Sequence, residues 1–274
     1  MNTSPNIAFI GGGNMAQAIL AGLRRAGAAA ERFVVVEPAP AQRARLSQTL
    51  GITALAQASD ALARAEVVVW AVKPQLFEEA AAPCRAHVAG ALQLSIMAGT
   101  RTDAIVAAGG SSRVVRAMPN TPALVGQGIA GLFARPEVDA DGRAQVEAVL
   151  RPTGELLWVP REEDLDAVTA LSGSGPAYVF YFIEAMVRAG VHMGLTASQA
   201  RRLAEQTFAG AATLSANSQD PPETLRARVT SKGGTTHAAL TSLEADGVGA
   251  AFERALLAAR DRAEELGRPY PGPE

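Results

Sequence analysis

Two short stretches of the 274-residue chain hold the residue types that could do chemistry. In "IAFIGGGNMAQAI", Gly11, Gly13 and Ala16 stand in a G-x-G-x-x-A frame, directly after an apolar run and at the head of a helical one. Glycines in that frame allow a tight turn and let a pyrophosphate come close to the backbone. The unpaired N–H groups and positive dipole of the helix start then attract the anion. The turn Gly11, Gly12 and Gly13, with Asn14 and Met15, is therefore expected to bind a dinucleotide. Far down the chain, "VTSKGGTTHAAL" sets Ser231, Gly233, Gly234, Thr235 and Thr236 ahead of an apolar helical run. A helix cap needs one such residue. Five suggest a backbone cradle for a carboxylate, with hydroxyls left to donate to a second group on the same ligand.

Further candidates stand where other apolar runs end. "FVVVE" closes on Glu37; an acid there takes the ribose 2′-hydroxyl and favours NADH, whereas Arg43 and Arg45 just beyond could receive a 2′-phosphate, so NADPH and NADH both stay open. "WAVKPQ" brings Ala71, Val72, Lys73 and Pro74 to the carboxyl edge of the same sheet. Lys73 is one of only two lysines in a chain that otherwise uses arginine, and a compact ammonium suits a tight site better than a wide guanidinium. "LSIMAGT" adds Ala98 and Gly99, and "RAMPNTPAL" adds Asn120 and Thr121, locked between Pro119 and Pro122 as a stiff wall near the nicotinamide. In "ALSGSGPAYVF", Ser174 stands near a helix cap and Pro176 in a first turn; such a start either caps itself or points its N–H groups at an anion.

These residues need elements to hold them. From Ile7 to about Trp158 the runs "IAFI", "FVVVE", "VVVWAV", "LQLSIM" and "RVVRAM" alternate with stretches of helical period, which means a parallel sheet covered by helices. After about Pro160 the strand signals stop and helical patterns follow one another. The expected fold is α/β: an N-terminal Rossmann-type doubly wound sheet over residues 1–160, then a C-terminal all-helical dimerisation and substrate-binding domain over 161–274. Thr196 with Gln199 forms a capping box, and Asp220 before Pro221, with Glu223 at the third helical position, marks another start. "AYVFYFIEAMVRAGVHM" is apolar nearly all round, so a homodimer through this half is expected. "GRPYPGPE" reads as a short tail.

Composition excludes several classes. Hydrophobic residues at 48% and charged residues at 19% are those of a globular chain, and no apolar run is long enough to span a bilayer. The first residues lack a basic start and an apolar core of signal-peptide length, so the cytosol is the expected compartment. Net charge is −2, and the arginines are scattered; neither nucleic acid nor membrane is an expected partner. A single cysteine, Cys84, reads as an inert thiol, and His87, His192 and His237 show no metal-ligand spacing.

Taken in order, "FIGGGNMAQAI", "AVKPQ", "MPNTPA", "DAVTALSGSGPAY" and "VTSKGGTTHAAL" resemble the pyrroline-5-carboxylate reductase family over nearly the whole chain. The resemblance implies a helical domain that interlocks with its twin, dimers often assembled into a ring such as a decamer, and a site shared between subunits. It implies that the turn from Val229 to Thr236 holds the carboxylate of pyrroline-5-carboxylate through backbone amides, and that Thr236 hydrogen-bonds the ring nitrogen. Reduction of that cyclic imine by NADPH or NADH to L-proline needs alignment more than a strong base, which suits a site without a His/Asp pair. Lys232 stands where many relatives have proline and is given no catalytic part. His237 is about 100° round the helix from Thr236 and reads as structural. Two rivals are weaker. A β-hydroxyacid dehydrogenase would carry a lysine four residues after Gly175, where Val179 stands; a nucleotide-sensing protein would need no carboxylate cradle.

Overall fold

The structure, a computed structural model, describes residues 5–268. Ile7–Ile10 (β1), Phe33–Val36 (β2), Val67–Trp70 (β3) and Leu92–Ser95 (β4) are short runs in which every residue is buried, as strands covered on both faces require. Val114–Met118 (β5), Gly128–Ala134 (β6) and Gly154–Trp158 (β7) complete a seven-stranded sheet of order β2-β1-β3-β4-β5-β6-β7. Between the strands run Asn14–Arg25 (α1), Pro40–Leu50 (α2), Phe77–Ala81 (α3), Arg85–Val88 (α4), Thr102–Gly109 (α5) and Ala140–Leu150 (α6), followed after the sheet by Asp164–Val168 (α7).

Two apolar clusters cover the sheet. Ile19 and Leu20 of α1, Leu46 of α2 and Val149 of α6 pack with Phe9, Val35, Val69 and Leu94. Phe77 of α3, Val88 of α4 and Ile105 of α5 pack with Ile10, Val68 and Trp70. Ile10 pairs with Val36 on one side and Trp70 on the other, so the carboxyl ends of β1, β2 and β3 are level. The chain order reverses at β1, which opens a crevice outside those ends, where ligands bind in doubly wound sheets.

The sheet departs from the expected all-parallel form. β6 runs antiparallel to β5, because only a short 3-10 turn, Thr121–Val125, joins them, and a parallel return needs a longer crossover. α6 supplies such a crossover from β6 to β7, which are parallel again. Neither strand stands out as a β-branched run: "GIAGLFA" is rich in Gly and Ala, and "GELLW" is only partly buried.

Contacts divide the chain into two compact units, residues 5–174 with 259–268, and Gly175–Ala258. A boundary near residue 160 follows the end of the strand pattern. Compactness instead keeps α7 with the sheet, because Val168 packs so closely on β6 that a methyl added to Gly131 would lie 2.6 Å from its Cγ1.

The second unit comprises Gly175–His192 (α8), Ala197–Ala216 (α9), Pro222–Arg228 (α10), Thr235–Ala245 (α11) and the first half of Val248–Gly267 (α12). α9 opens on the expected capping box: Gln199 N–H donates to Thr196 Oγ1 at 3.3 Å and Thr196 N–H to Gln199 Oε1 at 2.9 Å. α10 starts one residue later than expected, on Pro222 with Pro221 at the cap position, and the Asp220 carboxylate accepts from Arg228 instead of capping the first turn. The helix start expected at Ser174 is formed, α8 opening on Gly175 with Pro176 in its first turn, and of the two readings of that start the Ser174 N–H follows the self-satisfied one. Thr169–Gly173 is a wide π turn, and Ser174 N–H donates to Thr169 O at 2.8 Å, so that donor is already satisfied. The tail expected at "GRPYPGPE" lies almost wholly outside the described residues.

Candidate functional site

In the first unit the glycine turn is shaped by the strands around it. Gly11 N–H donates to Val36 O at 2.8 Å, and its φ of +99° is one that only glycine adopts without strain. A Cβ there would lie 2.6 Å from Ala71 O, so the turn passes directly against the end of β3. A Cβ at Gly12 would meet Leu46 Cδ1 at 2.8 Å, whereas one at Gly13 would meet nothing within 4 Å. Gly13 is the N-cap of α1 and has no side chain to cap it, so the first N–H groups of α1, from Asn14 and Met15 onward, have no side-chain cap at a positive helix end. Closed beneath and open in front, this cradle fits the pyrophosphate of a dinucleotide.

The Gly12 peptide is gripped from both sides. Its N–H donates to Glu37 Oε2 at 2.8 Å, and its carbonyl accepts from Gln17 Nε2 at 2.7 Å, with Gln17 linked in turn to Gln42 of α2 at 3.2 Å. Gln17 was not legible as a site residue. Its one signal is an amide on the apolar face of α1, where it is buried. Glu37 Oε1 also accepts from Ala39 N–H at 2.8 Å. Arg43 folds back over this corner and donates to Glu37 O at 3.0 Å and Pro38 O at 2.6 Å, while Arg45 is exposed.

A cavity of about 270 Å³ lies beside the turn, lined by Gly11, Val36, Pro38, Ala58, Val72 and Cys84 among others, and is apolar enough for the flat face of a purine. Burial pushes the Cys84 thiol up to about 11, so it stays protonated and inert, as its setting in the sequence implies. Lys73 is exposed at the start of the short turn Pro74–Leu76. Gly99 has φ +74°, and a Cβ there would lie 3.0 Å from Leu266 O near the end of α12. Asn120 is buried, and its Oδ1 accepts from Ile129 N–H at 3.0 Å, closing the turn between β5 and β6. The first unit thus brings Gly11 to Met15, Glu37, Ala71 to Pro74, Ala98, Gly99 and Asn120 to one edge of the sheet.

In the second unit the Ser/Gly/Thr turn joins α10 to α11. Val229 ends α10, and Gly234 N–H donates to Ser231 O at 3.0 Å, closing a tight loop. Gly233 takes φ +75° with nothing near its missing side chain. Gly234 is the N-cap of α11 in extended geometry, with no side-chain cap. The first-turn N–H groups of this 11-residue helix, from Thr235 onward, are therefore uncapped beside the Ser231 hydroxyl, and a Cβ at Gly234 would strike that oxygen at 2.6 Å. Such a start can hold a carboxylate, with the half-buried Thr236 next to it. His237 is exposed rather than set in a core. Lys232 is exposed too.

The α8 surface is unusual for a soluble helix. Gly190 alone among its residues is buried, and Phe180, Tyr181 and Met186 are 59%, 64% and 40% exposed. Apolar area of that extent marks a face for another protein chain.

Comparison with known proteins agrees with both units. A model of the pyrroline-5-carboxylate reductase dimerisation domain matches residues 162–266, and one for NADP oxidoreductases that depend on coenzyme F420 matches residues 6–99. Pyrroline-5-carboxylate reductase of Pseudomonas aeruginosa is 44% identical, with 96% of this chain and 97% of the relative aligned. That of Haemophilus influenzae is 43% identical over 95% and 97%. Among solved structures, a pyrroline-5-carboxylate reductase from Coxiella burnetii superposes with a TM-score of 0.91 at 37% identity, covering 97% of this chain and all of its own. The Plasmodium falciparum pyrroline carboxylate reductase with NADP bound gives 0.86 at 27% identity, over 96% of this chain and 98% of its own.

Proposed function

Because this chain belongs to the pyrroline-5-carboxylate reductase family, we propose how its residues divide the labour of that reaction. The reaction is the last step of proline biosynthesis, reduction of the C=N bond of (S)-1-pyrroline-5-carboxylate to L-proline, and the enzyme is an NAD(P)H-dependent oxidoreductase. Bound NAD(P)H supplies the hydride.

The nucleotide-binding part, residues 1–160, offers the cradle from Gly11 to Met15 to the pyrophosphate and the cavity beside Ala58 and Cys84 to the adenine. Ala71 to Pro74, Ala98, Gly99 and Asn120 line the path from there toward the nicotinamide. The helical part, residues 161–274, binds substrate and partner. The uncapped N–H groups at the start of α11, with the Ser231 hydroxyl, hold the substrate carboxylate; the support for this role is the helix start itself, without a side-chain cap and next to that hydroxyl. Val229, Gly233, Gly234 and Thr235 shape that turn, and the Thr236 hydroxyl steers a proton to the ring nitrogen. Protonation makes the imine carbon electrophilic, so no strong base is needed. Holding the ring by its acid group restricts its orientation, the main source of rate in a two-reactant step of this kind.

Assembly runs through the helical part, as its match to a dimerisation domain indicates, and we take the unit to be a homodimer that assembles further into a decamer. Among the described residues no helix is long and apolar enough to cross a membrane; we take the compartment to be the cytosol, where an NAD(P)H pool is at hand.

The direct test mixes purified enzyme, NADH or NADPH, and pyrroline-5-carboxylate, and follows the nicotinamide absorbance together with proline formed. Equimolar loss of reduced nucleotide and gain of proline is the expected result; nucleotide that binds but is never oxidised would remove the assignment.

A further inference from the structure

We propose that Glu37 sets this enzyme's coenzyme choice, so that it prefers NADH to NADPH. The inference rests on the reading that the chain binds a nicotinamide dinucleotide at Gly11 to Met15. In a doubly wound sheet the end of the second strand is where the adenosine ribose hydroxyls fall. Glu37 occupies that place, 8% exposed, with both carboxylate oxygens held by backbone N–H groups, Oε2 by Gly12 and Oε1 by Ala39, each at 2.8 Å. Its Cβ and Cγ pack beneath the turn, 3.3 Å from where a side chain on Gly12 would start. The acid therefore cannot swing aside for a phosphate without releasing the turn that holds the pyrophosphate. An ionised carboxylate has about four acceptor positions, so two remain for ribose hydroxyls.

The residues directly after Glu37 offer little to a 2′-phosphate. The corner is Pro38-Ala39-Pro40-Ala41, which has no hydroxyl or amide side chain and lacks two N–H donors to its prolines, while a third, on Ala39, is already taken by Glu37. Arg43, the cation that could compensate, points its NH1 at the carbonyls of Glu37 and Pro38 and forms no ion pair with the carboxylate among the described residues. A phosphate arriving here would meet a fixed negative charge and an apolar corner, whereas a hydroxyl would meet a good acceptor.

The test is direct titration of the nucleotide-free enzyme with NADH and with NADPH by calorimetry, alongside kcat/KM for both, in wild type, Glu37→Gln, Glu37→Asp and Arg43→Ala. Wild type is expected to bind NADH at least tenfold more tightly than NADPH. Glu37→Gln, which removes the charge and turns one of the two acceptors of the turn into a donor, is expected to weaken both nucleotides and still move the NADH/NADPH ratio at least tenfold toward NADPH, mainly through Kd and KM rather than kcat. Glu37→Asp is expected to keep most of the wild-type ratio, and Arg43→Ala to change it less than twofold. A wild type that prefers NADPH overturns the proposal, as does Glu37→Gln losing both nucleotides equally, which would make Glu37 a brace for the turn and nothing more. A tenfold loss of NADPH alone in Arg43→Ala overturns it too, by making Arg43 the phosphate receiver. Binding of neither nucleotide by wild type would instead strike at the dinucleotide reading beneath.

Discussion

Arg116 of β5 and Glu162, just ahead of α7, form an ion pair of 2.8 Å with side chains only 5% and 16% exposed. Glu162 also accepts from the N–H and hydroxyl of Thr102 at 2.8 and 2.7 Å, and Arg101 pairs with Asp166 at 2.6 Å alongside. One carboxylate thus ties β5, the start of α5 and the segment leading to α7. Burial lowers the Arg116 pKa from its ordinary value, and Glu162 opposes that shift. Glu162→Ala leaves a buried guanidinium uncompensated and is expected to lower stability by about 3 kcal/mol in urea unfolding. Replacing both partners with apolar residues, Arg116→Met with Glu162→Leu, is expected to recover most of it; a double variant no better than the single one would mean the hydrogen bonds to Thr102 dominate.

Gly11 and Gly13 separate structural need from ligand need. Gly11→Ala forces a methyl onto Ala71 O at φ +99° and is expected to lower the melting temperature and abolish nucleotide binding together. Gly13→Ala adds a methyl to open space in ordinary extended geometry. Its melting temperature without nucleotide should stay within a degree or two, while Kd for NADH rises about tenfold because the methyl intrudes where the pyrophosphate rests. Unchanged affinity in Gly13→Ala would place the phosphates elsewhere.

Thr236→Ala is expected to lower kcat by about 100-fold with nucleotide Kd nearly unchanged, and Thr236→Ser to restore most of the rate. Equal loss of nucleotide affinity would show that the residue serves the coenzyme rather than the imine.

Phe180 is 59% exposed on α8. A charge at that position, Phe180→Glu, cannot be buried against another chain, so light scattering should report a smaller assembly than wild type with helix content retained. An unaltered mass would move the interface to another face.

The Cys84 thiol, pushed up to about 11 by burial, makes stability fall at alkaline pH. Its folded form keeps the proton after the unfolded chain has lost it, so the unfolded state binds fewer protons and stability declines as pH rises from the ordinary thiol range toward 11. Below that window the contribution is fully present. Cys84→Ala removes this slope while creating a small cavity of its own, so the gap in unfolding free energy between wild type and variant should narrow between pH 8 and 10.5, by about 1 to 2 kcal/mol. A gap independent of pH would contradict the assignment.

Local chemistry in the chain determined a good deal. A β-branched run followed by G-x-G-x-x-A specifies strand, turn and helix because each residue type there has few alternatives, and Thr196 with Gln199 forms a capping box from its own neighbours. The Ser/Gly/Thr turn before α11 was legible for the same reason. What required the folded chain was everything set by partners distant in sequence. The reversal of β6 and the hold of Val168 on Gly131 depend on neighbours in the sheet rather than on their own residues. Glu37 shows the limit most clearly: its position at a strand end was readable, and its bond to Ala39 and that of Arg43 to Pro38 are local, but only tertiary packing brings Gly12, 25 residues away, onto the second carboxylate oxygen and so fixes the acid in the ribose corner.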